Sequence, residues 1–191
     1  MLLMATTAGL VLSVALAFYF SANKPLLSPI VPLPMTFATP SQPTAGVPVR
    51  LYIPSINVDA PVESLGLTTD GAMDAPKGPD EVAWYKLGPR PGEKGSAVIA
   101  GHSKWNKGAP AAFDKINKLR QGDKLYVADA DGITVVFVVR ELRDYDQKAN
   151  AATVFGSSDS KAHLNLITCE GVWNKTSKTY SKRLVVFTDR E

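Results

Sequence analysis

The chain reads as an all-β protein: an eight-stranded antiparallel closed β-barrel with one or two short helices, preceded by a single N-terminal transmembrane helix. Three observations predict this. Beyond Arg50 the apolar runs are short, rich in Val and Ile, and bounded by Gly, Pro and Asp, the pattern of strands in a closed or sandwiched sheet. From Leu2 to Phe20 the residues are mostly Leu, Val, Ala, Met and aromatic with no charge, close to the ~20 positions a spanning helix needs. Between these parts, residues 25–48 contain seven prolines among Ser, Thr, Ala and Gln, a composition that resists both helix and sheet.

The N-terminal element is read as residues 1–23, a membrane anchor. Ala15 and Ala17 give a small-x-small pattern suited to signal-peptide cleavage, but Phe18, Tyr19 and Phe20 continue the apolar run past it, which favours an uncleaved anchor. Residues 24–48 then form an extracytoplasmic spacer. At ~3.1 Å per residue in an extended polyproline-like state, it reaches up to roughly 70 Å from the bilayer. Residues 49–191 are the folded part, and a chain of 191 residues leaves room for one ordinary core.

Charge and cysteine content narrow the function. Lys24 is the only Lys, Arg, Asp or Glu before Arg50, and beyond it the signs are mixed with no like-charge run. Phosphate-driven nucleic-acid binding therefore has no support. The lone cysteine, Cys169, excludes an internal disulfide, and with His102 and His163 the only histidines a closed zinc site has too few ligands. No cofactor and no metal are expected.

Candidate strands cover residues 49–53, 56–62, 82–85, 96–101, 124–128, 133–142, 164–169 and 184–188. Asp129-Ala130-Asp131-Gly132 marks a hairpin, because Asp and Gly tolerate the positive φ that tight turns require. Residues 109–119 read as a helix, with Ala109, Phe113, Ile116 and Leu119 on one face and Gln121-Gly122-Asp123 as its stop.

Three strand segments carry polar groups suited to acyl transfer. Leu164-Asn165-Leu166-Ile167-Thr168-Cys169-Glu170-Gly171 ends an apolar strand with a thiol. A nucleophile must be reachable, and the backbone N–H of Glu170 is placed to help bind a developing oxyanion. Ala97-Val98-Ile99-Ala100-Gly101-His102 ends another strand with an imidazole. If both ends face one rim, His102 serves Cys169 as proton donor and acceptor. Arg183 stands at the entrance of a third strand, where a permanently charged, rigid donor fork suits a substrate carbonyl or an oxyanion.

Together these segments resemble the sortases: a histidine ending a strand, Thr-Cys after a Leu-x-Leu-Ile strand, and an arginine on the last strand. The resemblance extends over residues 49–188. It includes Arg50-Leu51-Tyr52-Ile53-Pro54-Ser55-Ile56-Asn57-Val58, Trp84-Tyr85 with the following Gly88-Pro89-Arg90-Pro91-Gly92-Glu93-Lys94-Gly95, and Gly122-Asp123. These segments are most similar to class F, with class E the nearest alternative. The resemblance implies a membrane-anchored, extracytoplasmic cysteine transpeptidase acting on secreted proteins with a Leu-Pro-X-Thr-Gly-like sorting signal. Cleavage falls between Thr and Gly through a thioacyl enzyme, and a cell-wall precursor amine is the acceptor. It implies Cys169 as nucleophile, His102 as acid and base, Arg183 as substrate and oxyanion support, and Thr168 as a residue lining the pocket.

Other residues have plainer readings. His163 is expected in a surface loop, and Asp144, Asp146 and Asp159 are expected as solvated charges rather than a calcium cluster. Trp84 and Trp105 suit core or pocket rim, and Trp173, four residues past Cys169, is the candidate groove wall. Three alternatives stay open: the same site working as a hydrolase, an L,D-transpeptidase, whose Ser-His-Gly-Cys-x-Arg segment is not matched here, and a membrane-tethered binding domain with an inert, buried Cys169.

Overall fold

The computed structural model describes residues 46–177 and 179–191. The predicted anchor (1–23) and all but the end of the predicted spacer (24–48) lie outside the described residues. Among the described residues, no helix is long and apolar enough to cross a membrane.

Eight strands close into one barrel in the order β1-β2-β3-β4-β7-β8-β6-β5. They are β1 (Pro48–Ile53), β2 (Val58–Leu65), β3 (Val82–Tyr85), β4 (Gly95–Gly101), β5 (Lys124–Asp129), β6 (Thr134–Asp146), β7 (Ala162–Asn174) and β8 (Thr179–Arg190). Each read strand is present, and the last three are much longer than their apolar runs suggested. Their outer halves pair with each other rather than with the core, so polar residues continue the ladder. Alternation along the strands sends Leu51, Ile53, Leu125, Phe137, Leu164 and Leu166 into an apolar interior. A smaller apolar cluster on the outer face joins Val98, Val185 and Phe187 to Val154 of the single helical turn α1 (Ala152–Phe155).

The expected hairpin joins β5 and β6. The Asp129 side chain accepts the N–H groups of Asp131 and Ile133, and Gly132 takes a φ of 80°.

Four expectations need correction. The barrel is not wholly antiparallel: β2 with β3 and β4 with β7 run parallel, because long crossover segments bring the chain back in the same direction. Residues 109–119 do not form a helix. They make turns and a short 3₁₀ segment at Ile116–Lys118. The backbone N–H groups of Ala112 and Phe113 bond to Pro79 and His102 instead of continuing a helical ladder, so tertiary partners override the local periodicity.

Thirdly, Cys169 does not end its strand. β7 continues to Asn174 across a register shift after Glu170, where Gly171 takes a φ of 85°. That glycine allows a bulge rather than a stop. Fourthly, His163 is not a surface loop residue. It is buried within β7, with Nδ1 2.7 Å from Asp189 Oδ1 and Nε2 2.8 Å from Asp159 Oδ1. Asp159 is accordingly a bonded partner and not simply a solvated charge. The His163 hydrogen bond, followed by the Lys161 N–H and the Ser157 hydroxyl, holds its carboxyl well below the usual range. Asp144 fits the plainer reading better, half-exposed and 3.7 Å from Lys182.

Candidate active site

The parallel pairing of β4 with β7 sets up the site. Ala100 is in register with Ile167, so two positions on, His102 and Cys169 leave the pair side by side at the same end of the barrel. Antiparallel β8 then places Arg183 directly opposite Cys169. Directly paired residues share a sheet face, and here that face is the outer one, where Ile167 and Val185 also lie. The three candidate residues therefore meet on the barrel wall beside α1, outside the interior core.

Two short bonds lace the strand ends together. The Thr168 hydroxyl donates to the Gly101 carbonyl at 2.7 Å, and the Ser103 hydroxyl donates to the Cys169 carbonyl at 2.7 Å. The residue before the cysteine thus grips the residue before the histidine, and the residue after the histidine grips the cysteine. Gly101 is required here, since a Cβ would run into the Phe113 ring. That ring is fully buried in the core, and the Phe113 N–H holds the His102 carbonyl at 2.9 Å.

Cys169 is half-buried and unpaired as a thiol. Burial pushes it up from its ordinary value, while the positive charge of Arg183 pulls the other way. The Arg183 guanidinium is positioned by its own strand entrance. Nη1 donates to the carbonyls of Tyr180 (3.1 Å) and Lys182 (2.9 Å), and Nη2 to the Thr179 hydroxyl (3.3 Å).

Cavities open on both sides of the His102 and Cys169 pair. One, about 570 Å³, is walled by Trp105, Lys107, Trp173, Thr179 and Tyr180. The other, about 460 Å³, is walled by Met73, Pro76, Phe155, Thr168 and Arg183. Trp173 lines the first of these cavities, half-exposed with its ring edge-on to Tyr180 at 5.1 Å. Trp105 is a pocket residue whose ring lies 4.9 Å from that of His102. Trp84 belongs to the core, its indole N–H bonded to the Pro89 carbonyl. Glu170 pairs with Lys182 in the ladder and lines neither cavity. A third cavity, about 480 Å³ around Arg140, Arg143 and His163, includes none of the three candidate residues. Among the described residues, no cluster of three or more His, Cys, Asp or Glu side chains is placed to hold a metal ion.

Sequence reasoning missed Ser103, Thr179 and Pro76. Ser103 follows His102 directly and was within reach of a closer reading; Pro76 reaches the site only through the fold.

A half-buried thiol, an imidazole and a guanidinium around two clefts make an arrangement able to carry out acyl transfer. The family model described as the Sortase domain matches residues 51–191. The chain belongs to the sortase family. Sortases are cysteine transpeptidases that act on sorting-signal proteins and amine nucleophiles, and the closed barrel is their fold. Solved structures share it. Sortase C-1 from Actinomyces oris is 24% identical with a TM-score of 0.59, over 74% of this chain and 72% of that one. Sortase A from Listeria monocytogenes is 22% identical with a TM-score of 0.57, over 78% of this chain and 88% of that one. A Clostridium perfringens sortase D5 transpeptidase is 20% identical with a TM-score of 0.57, over 76% and 79%. No curated protein matches the chain.

Proposed function

We propose that this sortase is a membrane-anchored transpeptidase of class F, with class E as the nearest alternative. It cleaves a Leu-Pro-X-Thr-Gly-like signal of secreted proteins between Thr and Gly and passes the acyl group to a cell-wall amine. Residues 1–23 serve as the anchor and residues 24–48 as the spacer that carries the catalytic barrel outside the membrane. The class assignment rests on the segments at residues 50–58 and 84–95, and the anchor on the uncharged run from Leu2 to Phe20.

His102 takes the Cys169 thiol proton as the sulfur attacks the Thr carbonyl carbon, and the carbonyl electrons move onto oxygen, where the Arg183 guanidinium faces them. As the tetrahedral species collapses, the bond from carbon to glycine nitrogen breaks, and imidazolium His102 gives that nitrogen a proton. The thioester remains. An incoming amine attacks it, neutral His102 removes the amine's extra proton, and as the carbon–sulfur bond breaks that proton passes to the departing sulfur and regenerates the thiol. Thr168 and Trp173 contribute walls to the clefts on either side.

The observation that supports this reading best is the register pair of Cys169 with Arg183 beside the end of β4 that carries His102. A non-catalytic binding domain expects a buried thiol, and a half-buried Cys169 lining two cavities does not favour it. The test incubates the protein with a library of Leu-Pro-X-Thr-Gly-type peptides, with and without added amines, and identifies products by mass. Amine-dependent ligation products are expected. Hydrolysis alone at every amine concentration would favour the hydrolase, and no cleavage of any peptide would refute the reading.

A further inference from the structure

His102 makes a contact that nothing near it in sequence announces. Its Nε2 lies 2.9 Å from the backbone carbonyl of Pro76, 26 positions earlier in the crossover between β2 and β3. A carbonyl oxygen has no proton to donate, so Nε2 carries the hydrogen of this bond. In the neutral ring that leaves Nδ1 with the lone pair. The ring is also restrained by Trp105, at 4.9 Å between centroids and 59° between planes. Proline suits the anchoring position, because a fixed φ removes one of the two rotations by which the carbonyl would swing away. Pro76 and Met73 wall the same cavity as Cys169 and Arg183, so the holding segment stands beside the thiol.

We propose that the Pro76 carbonyl is a positioning group for the reaction, holding His102 in its Nε2–H form so that Nδ1 exchanges protons with the Cys169 thiol and the amines. The inference rests on the transpeptidase reading above. When Nδ1 takes the thiol proton, the new positive charge strengthens the Nε2–H bond to Pro76, which keeps the ring in place as it becomes charged. Nδ1 then gives that proton to the departing glycine nitrogen as the carbon–nitrogen bond breaks. Nε2 keeps its own proton throughout.

Two measurements on the full-length chain test this. The sequence has only two histidines, so ¹⁵N-histidine labelling with His102→Gln as reference identifies the His102 signals. Two-bond nitrogen–proton correlations should show the neutral His102 ring protonated at Nε2. A ring protonated at Nδ1, or an even mixture, would overturn the proposal. The second measurement replaces Lys77 with its α-hydroxy acid counterpart, which turns the Pro76 carbonyl into an ester carbonyl, a weaker acceptor, with every side chain retained. The Nε2–H preference should weaken and kcat fall about three- to tenfold, with KM and melting temperature unchanged. An unchanged kcat would overturn the proposal. The tautomer measurement needs no turnover, so a chain inert toward every sorting peptide refutes the transpeptidase reading while the NMR result still decides the state of His102.

Discussion

Cys169 and Arg183 face each other across the β7–β8 ladder as direct register partners, so the cation and the thiol share one face of the sheet without either residue occupying a flexible loop. Arg183 is the charge that opposes the effect of burial on Cys169. In the proposed reaction, one side chain thus bears on both the nucleophile and the oxyanion.

Substitution of Arg183 therefore has two readable effects. Arg183→Lys should lose most of the activity and Arg183→Ala more, about two to three decades in kcat/KM, since a point charge does not replace a planar donor fork. Arg183→Ala should also slow alkylation of Cys169 at neutral pH, because loss of the cation leaves burial unopposed and less thiolate is present. Kinetics beside thiol-modification rates check this; wild-type values for both would reduce Arg183 to a charged strand flank.

Cys169→Ala should abolish peptide cleavage, since there is no second thiol in the chain, and His102→Ala should cost at least about a hundredfold. In the wild type, burial holds Cys169 as a thiol beyond the ordinary range. Its methanethiosulfonate labelling should accordingly keep rising with pH above the point where a free cysteine levels off. Labelling that levels off where free cysteine does would show that burial is not felt.

Ser103→Ala removes the hydroxyl that holds the Cys169 carbonyl at 2.7 Å. About 1 kcal/mol of stability should go with it, together with a several-fold fall in kcat as the strand ends loosen. Denaturant midpoints and steady-state rates measure the two separately. Loss of stability at full activity would show that this bond is only a staple.

Asp159 makes stability depend on acid. Its carboxyl is held well below the usual range, first by His163, so its contribution is complete above the ordinary carboxylate pKa of about 4. It is lost as pH falls from there toward the depressed folded value. Melting temperatures of wild type and Asp159→Asn should therefore differ at pH 6 and begin to converge only as the pH falls below about 4. Parallel curves would mean that the carboxyl and His163 do not support each other.

The N-terminal edge of the barrel is also testable. The Gly46 N–H donates to the buried Asp129 side chain at 2.6 Å, and Pro48 pairs with Asp129 at the start of β1. A fragment of residues 49–191 should melt about 2–5 °C below one of residues 42–191, the scale expected for losing such a bond in a domain of this size. Equal melting temperatures would place the functional boundary at Val49.

What the sequence by itself determined was whatever depends on residue type and near neighbours. Strand positions followed from β-branched runs and their Gly, Pro and Asp borders, and the β5–β6 hairpin from Asp129 to Gly132, because conformational preference and turn chemistry act over a few residues. The lone thiol after Ile167-Thr168 and the imidazole after Gly101 were visible for the same reason. Tertiary structure decided what depends on distant partners. It joined β4 and β7 in parallel across a long crossover, which alone brings His102 to Cys169. It unmade the helix expected at residues 109–119 by giving the N–H groups of Ala112 and Phe113 to Pro79 and His102. It drew His163 inside between two carboxylates, and it set the Pro76 carbonyl on the His102 ring. A hydrogen bond or an ion pair fixes no sequence distance, so its two ends carry no local pattern to read.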